Sequence, residues 1–165
     1  MPILDAHPMD FFSRSPEQTR SMGMRLGAAL QPGDVICLQG DLGAGKTTFV
    51  QGLALGWGSR DAVSSPTFIL VNVYRRGDEA RLFHMDAYRI ESTPEAAELD
   101  LESMMAQGAL IVEWPERILD LIPEEHLWIQ FEHAGEEVRQ LRFEPQGKRF
   151  MDLVSQIPRA VHGGS

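Results

Sequence analysis

The stretch Gly40-Asp41-Leu42-Gly43-Ala44-Gly45-Lys46-Thr47 reads G-x-x-x-x-G-K-T, and it restricts the fold because the pattern works only between a strand and a helix. Gly40, Gly43 and Gly45 let the backbone take left-handed angles and approach oxygen atoms without a Cβ in the way. Successive N–H groups then point inward as an anion nest. Lys46 adds a point charge for the β- and γ-phosphates, and the Thr47 hydroxyl is a hard oxygen donor suited to Mg²⁺. A following helix brings its positive N-terminal end to the same place. The flanks agree with this. Val35-Ile36-Cys37-Leu38 is a short apolar run that predicts a buried strand. Phe49, Val50, Leu53 and Leu55 predict a helix, stopped by Gly56 and Gly58.

With 165 residues the chain has the length of one domain, expected to run 1–165. No apolar stretch is long enough to span a bilayer and no charged-then-apolar leader opens the chain, so a cytoplasmic protein is expected. The single cysteine, Cys37, falls inside the predicted strand and reads as a small core residue. A net charge of −9 argues against autonomous binding to nucleic acid, whose phosphates are held chiefly by Lys and Arg. Arg75, Arg76, Arg81 and Arg89 cluster in sequence but read as solvated strand and turn positions. Work on RNA would go through a partner.

Along the chain, Ser15-Pro16-Glu17-Gln18 is a helix start, with Ser at the N-cap, Pro at the first position and Gln three residues after Ser. Met22, Leu26, Ala29 and Leu30 then share a helical face, and Gln31-Pro32-Gly33-Asp34 turns the chain into the strand before the loop. Phe68 to Tyr74 and Ala80 to Met85 predict an antiparallel hairpin around Arg76-Gly77-Asp78-Glu79. A helical region opens with Thr93 as N-cap, and Ala109 to Val112 is a short buried strand. Leu127 to Glu132 and Val138 to Phe143 flank a turn at Ala134-Gly135, Met151 to Ile157 is a short last helix, and His162 to Ser165 are expected to be disordered. The mixture predicts an α/β fold, a P-loop nucleotidase-type three-layer sandwich. Its mixed central sheet should be parallel near the loop and antiparallel at its edges.

A P-loop also needs an acidic residue at a strand end to hold Mg²⁺ and its waters. Glu113 follows Ala109 to Val112, and Asp86 follows Leu82-Phe83-His84-Met85. Both fall at carboxyl ends of strands, where ligands bind in open α/β sheets. One can serve the metal's shell while the other orients or deprotonates the attacking water. The alternative for each is a carboxylate that caps a helix or pairs with an Arg. His84 lies two residues before Asp86, hence on the same strand face, and either touches the γ-phosphate, partners the aspartate or is a satisfied structural histidine. Arg89 either stabilises phosphate charge or makes a surface ion pair. Trp114 shields the site, stacks on a base or packs in the core.

Four blocks in this order resemble one family. They are Gly40 to Phe49, Ser65-Pro66-Thr67-Phe68, His84-Met85-Asp86-Ala87-Tyr88-Arg89 and Val112-Glu113-Trp114-Pro115-Glu116. The family is the bacterial ATPase of tRNA threonylcarbamoyladenosine biosynthesis, the TsaE or YjeE type, and the resemblance runs from about Ser15 to Phe143. It implies an ATP hydrolase, weak alone, that works with TsaD-type and TsaB-type partners and resets the threonylcarbamoyl-transfer complex. tRNA would be met only through that complex. It implies that Asp41, Leu42, Gly43, Ala44, Gly45, Lys46, Thr47 and Thr48 hold ATP, with Thr19 and Gly135 near the adenine. Thr47 and Glu113 would hold Mg²⁺, Asp86, Lys46 and Glu113 would serve hydrolysis, and Ser65-Pro66-Thr67 would lie near the γ-phosphate. Ala87 and Asp100 depart from the family's usual leucine and glycine.

Two other functions share the loop. A small-molecule kinase needs an acceptor pocket and an Arg-rich lid, and no inserted segment of that kind follows the loop helix. An ATP-gated interaction module without turnover overlaps the family reading; a GTP switch does not fit, because an Asn-Lys-x-Asp segment is absent.

Overall fold

A computed structural model describes residues 9–41, 44–63 and 71–157. Its elements are β1 (Met9–Ser13), α1 (Pro16–Ala28), β2 (Val35–Gln39), α2 (Lys46–Trp57), β3 (Val71–Arg75), β4 (Arg81–Asp86), α3 (Thr93–Ala97), α4 (Leu101–Gln107), β5 (Gly108–Glu113), β6 (His126–Gly135), β7 (Val138–Gln146) and α5 (Lys148–Ser155). A 3-10 segment, Pro115–Leu121, follows β5. Seven strands form one sheet in the order β1-β7-β6-β2-β5-β4-β3. β2 runs parallel to both β5 and β6, and β4 runs parallel to β5. β3, β7 and β1 pair antiparallel at the two sides. The expected mixed sheet, parallel beside the loop and antiparallel at the edges, is the one found.

Central position follows from composition. Val35 to Leu38 and the whole of β5 are buried, as strands covered on both faces must be. On one face, α1, α2 and α5 cover Ile36, Leu38, Ile111, Leu127, Ile129, Leu141 and Phe143. Phe49 of α2 meets Phe131 and Phe143 edge-on at 5.4 and 6.3 Å between ring centroids, which ties the loop helix to β6 and β7. On the other face, Val35, Cys37, Phe83, Met85, Leu110 and Val112 pack with Ile90, Ala96, Leu101 and Ile118. Cys37 is fully buried, which raises its thiol pKa far above the usual range and leaves it a core residue.

α1 begins as expected: Ser15 Oγ accepts the Gln18 N–H at 3.1 Å, and Pro16 occupies the first helical position. Other expectations are corrected. Ser92, not Thr93, caps α3, its hydroxyl accepting the Glu95 N–H at 3.3 Å. The last helix starts at Lys148 rather than Met151, directly after Gly147 at φ 102°. α2 runs through Gly56 and stops at Gly58, whose φ of 103° is the left-handed cap. Leu55, grouped with the apolar face of that helix, is exposed. β1 was not foreseen: Phe11 is buried and Phe12 exposed, but five residues give too short an alternation to read. Leu42, Gly43, Ser65 to Phe68 and the tail from His162 lie outside the described residues.

Candidate nucleotide site

Three neighbouring parallel strands, β2, β5 and β4, end on one side of the sheet and bring Gln39, Glu113 and Asp86 there. The chain leaves β2 at Gly40. A Cβ at that position would lie 2.8 Å from the Phe131 carbonyl oxygen, so only glycine fits there. It re-enters a helix at Gly45, a left-handed N-cap with φ 103° whose carbonyl accepts the Phe49 N–H at 3.0 Å. α2 therefore starts at Lys46 with its first N–H groups facing the strand ends. Asp41 and Thr47 are exposed, and Ala44 is buried.

Lys46 is 6% exposed, and its Nζ has no hydrogen-bond acceptor among the described residues. It lies 4.7 Å from the centroid of the Trp114 ring. A buried ammonium without a hydrogen-bond acceptor is costly unless an anion completes its shell. That fits the phosphate site expected of the motif.

Asp86 and Glu113 are in register on adjacent parallel strands, on the sheet face that α2 covers. Glu113 is 7% exposed and Asp86 half-buried. Loss of solvent raises the Asp86 pKa above the ordinary carboxylate value, with the Glu113 charge adding to it. The Tyr88 N–H, donated to Oδ1 at 2.9 Å, and the charges of Lys46 and His84 oppose the rise. His84, on the same face of β4, bonds through Nε2 to Glu113 Oε2 at 2.5 Å, and its Nδ1 is 2.9 Å from the Tyr74 hydroxyl. Of the alternatives for His84, hydrogen bonding to Asp86 is not the one found: both ring nitrogens are satisfied, by Glu113 and Tyr74. Asp86 lies along the same strand, two residues on, whereas Glu113 sits diagonally across on β5.

Trp114 follows Glu113 directly and takes a left-handed backbone, φ 58°, which turns the chain over the strand ends. Its ring lies 4.7 Å from Lys46 Nζ and 4.7 Å from the Tyr88 ring, and Arg117 lies 5.5 Å over Tyr88. Trp114 also packs against the core on the sheet face of Cys37 and Val112, and it lines the cavity beside Gly40. Arg89 is exposed. Thr19 is brought to the loop: a Cβ at Gly45 would meet Thr19 Cγ2 and Arg139 Cγ, each at 3.9 Å. The Thr19 hydroxyl is 2.6 Å from Ser13 Oγ, so it faces β1. Gly135 sits at the tip of the β6–β7 hairpin beside Val138. Thr48, also expected at the phosphates, is half-buried in the first turn of α2.

Sequence reasoning assigned no role to Tyr74, Arg139 or Glu116. Glu116 lines a 260 Å³ cavity with Gln39, Gly40, Asp41, Trp114 and Glu132, and its Oε1 is buried without a hydrogen-bond partner among the described residues. The only signal for it was its place in Glu-Trp-Pro-Glu. Tyr74 and Arg139 carried none, because their contacts join distant strands.

Residues 13–141 match the family model described as "Threonylcarbamoyl adenosine biosynthesis protein TsaE". A Bacillus subtilis protein named "tRNA threonylcarbamoyladenosine biosynthesis protein TsaE" is 41% identical over 145 residues, covering 88% of this chain and 90% of that protein. A Streptomyces coelicolor protein of the same name is 38% identical over 137 residues, covering 79% and 93%. Among solved structures, the crystal structure of Bacillus subtilis YdiB superposes with a TM-score of 0.77 at 33% identity, covering 92% of this chain and 95% of that one.

Proposed function

The chain belongs to the TsaE family of threonylcarbamoyl adenosine biosynthesis proteins, and from that membership and the site's geometry we propose that it binds and hydrolyses ATP with Mg²⁺. The observation that carries the reading is the arrangement of Lys46 and the acid pair. A buried ammonium with no hydrogen-bond acceptor among the described residues stands at a helix N-terminus, and two in-register carboxylates sit at the adjoining strand ends. The cation and the helix end bind phosphate, and the acids handle metal and water.

Thr47 and Glu113 would hold Mg²⁺, since a hydroxyl and a carboxylate form the hard-oxygen donor set this ion prefers. When bound, Mg²⁺ neutralises charge on the β- and γ-phosphate oxygens. Lys46 binds the phosphates as a point charge. Trp114 closes the site against water from the side of the 3-10 segment. Asp86 orients the attacking water and accepts its proton, a task helped by a carboxylate pKa above the usual value. Asp41, Leu42, Gly43, Ala44, Gly45 and Thr48 cradle the phosphates, with Thr19, Arg139 and Gly135 on the nucleoside side.

Hydrolysis would serve tRNA modification by resetting a threonylcarbamoyl-transfer complex with TsaD-type and TsaB-type partners. The net charge of −9 suits a subunit that leaves tRNA contact to them. No described helix is long and apolar enough to cross a membrane. The test is ATP hydrolysis by the purified protein, alone and with both partners. Weak turnover that rises with both supports the reading. Turnover indifferent to them removes the reset role, and acceptor-dependent ATP loss would make the protein a kinase.

A further inference from the structure

Tyr74, His84 and Glu113 form a buried ladder across three adjacent strands, β3, β4 and β5. Their exposures are 3%, 1% and 7%. Polar groups so deep are costly to bury unless each is bonded, and a side chain there only to fill the core would be better apolar. The ladder has a direction. An ionised carboxylate only accepts, so the proton between His84 and Glu113 belongs to Nε2. The other ring nitrogen, Nδ1, is hydrogen-bonded with the Tyr74 hydroxyl at 2.9 Å. Tyr74 thereby fixes the ring plane of His84, and His84 engages Oε2 of Glu113.

We infer that His84 is a positioning residue for Glu113, holding its carboxylate by Oε2 so that Oε1 is presented to the metal side of the site, and that Tyr74 holds His84 in turn. The inference rests on the proposed role of Glu113 at Mg²⁺. Three features separate it from simple core filling. The bond to the acid is short, the imidazole is held at both nitrogens, and the ladder ends on a buried acid at the carboxyl end of β5 rather than on a backbone group. A carboxylate free to rotate about its last torsion loses preorganisation, and partners of this kind usually change metal affinity roughly 10–100-fold when removed.

The experiment measures Mn²⁺, as a Mg²⁺ substitute, binding to the protein–ADP complex by the EPR signal of the free ion, with ADP affinity in EDTA and thermal melting alongside. His84→Phe should weaken Mn²⁺ binding roughly 10-fold or more while ADP binding without metal is unchanged. His84→Gln should recover most of that loss, because the Gln Nε2–H reaches the position of the imidazole Nε2 and donates to the same oxygen. Tyr74→Phe, which keeps the ring and its packing, should show a smaller loss of the same kind. In a Glu113→Gln background, His84→Phe should add no further loss. Wild-type Mn²⁺ affinity in both His84→Phe and Tyr74→Phe, or a His84→Gln protein no better than His84→Phe, overturns the inference. Glu113→Gln alone separates the two levels. If it leaves Mn²⁺ affinity intact, the assignment of Glu113 to the metal falls and takes the inference with it. If it weakens binding while the His84 and Tyr74 variants do not, only the inference falls.

Discussion

The Lys46 ammonium lies 4.7 Å from the centroid of the Trp114 ring, and the residue that carries that ring is covalently next to Glu113. One indole therefore touches the loop's cation and adjoins the acid at the end of β5. An anion that takes the Lys46 charge must change the electrostatics beside Trp114. ATP or ADP should shift the protein's tryptophan emission, and Trp114→Phe should abolish the shift although Trp57 and Trp128 remain. Lys46→Ala should weaken nucleotide binding roughly 10–100-fold, the size of a lost hydrogen bond to a charged group. Unchanged nucleotide affinity in that variant, measured by equilibrium titration, would remove the loop from the site.

The acid pair separates binding from turnover. Glu113→Ala and Asp86→Ala should keep appreciable ATP binding but lose roughly 10²-fold or more in hydrolysis, the scale of a lost acid–base or metal-positioning group. Single-turnover hydrolysis at saturating ATP measures this without interference from product release. A variant with full activity takes its residue out of the chemistry.

Much of this was legible in the chain for a local reason. The loop, the strand before it and the helix after it are contiguous, so their pattern fixes their geometry, and Asp86 and Glu113 each end an apolar run. What escaped notice was set across strands. His84 found Glu113 rather than Asp86 because parallel pairing placed β4 beside β5, which no local period encodes. Arg139 reaches Gly45 only because β7 folds back on β6 and brings its start to the loop. Asp100 illustrates the opposite case. It stands where the family usually has glycine, and its φ of 51° is the left-handed angle that glycine takes most readily. Its carboxylate also caps α4 through the Ser103 N–H at 3.2 Å.

Asp86 should weaken the fold at neutral pH. Its pKa is raised in the folded protein, chiefly by lost solvent and next by the Glu113 charge, so the folded state binds its proton more readily than the unfolded one. Stability from this group then falls as pH rises from the unfolded value through the folded one, and the deficit is full above the folded pKa. Asp86→Asn keeps an acceptor for the Tyr88 N–H and removes the charge. The variant should melt higher than the parent at pH 7, and the difference should shrink as the pH falls toward the ordinary carboxylate range. A parent and variant with parallel stability curves across that range would contradict the raised pKa.

The packing of α1 on α2 gives the last expectation. A Cβ at Gly27 would come within 1.9 Å of the Leu53 carbonyl oxygen, and one at Gly52 within 2.0 Å of the Arg20 carbonyl oxygen. Gly23 and Gly56 are as tight, at 2.3 Å from Phe49 O and 2.0 Å from Met24 O. The two helices thus touch backbone to backbone at four glycines; the sequence pattern marks Gly56 as a helix stop and gives no sign of the other three. Ordinarily Gly→Ala inside a helix is worth about 1 kcal/mol of stabilisation. Here the methyl group meets backbone that cannot rotate away, and overpacking of this kind costs about 1–3 kcal/mol. Gly27→Ala should therefore lower the melting temperature. Because α2 begins at Lys46, moving it off α1 also displaces the phosphate cation, so the KM for ATP should rise more than kcat falls. Met24→Ala, on the exposed face of α1, should leave KM and kcat unchanged. If Gly27→Ala melts and binds like the parent, the helices do not make this contact in solution.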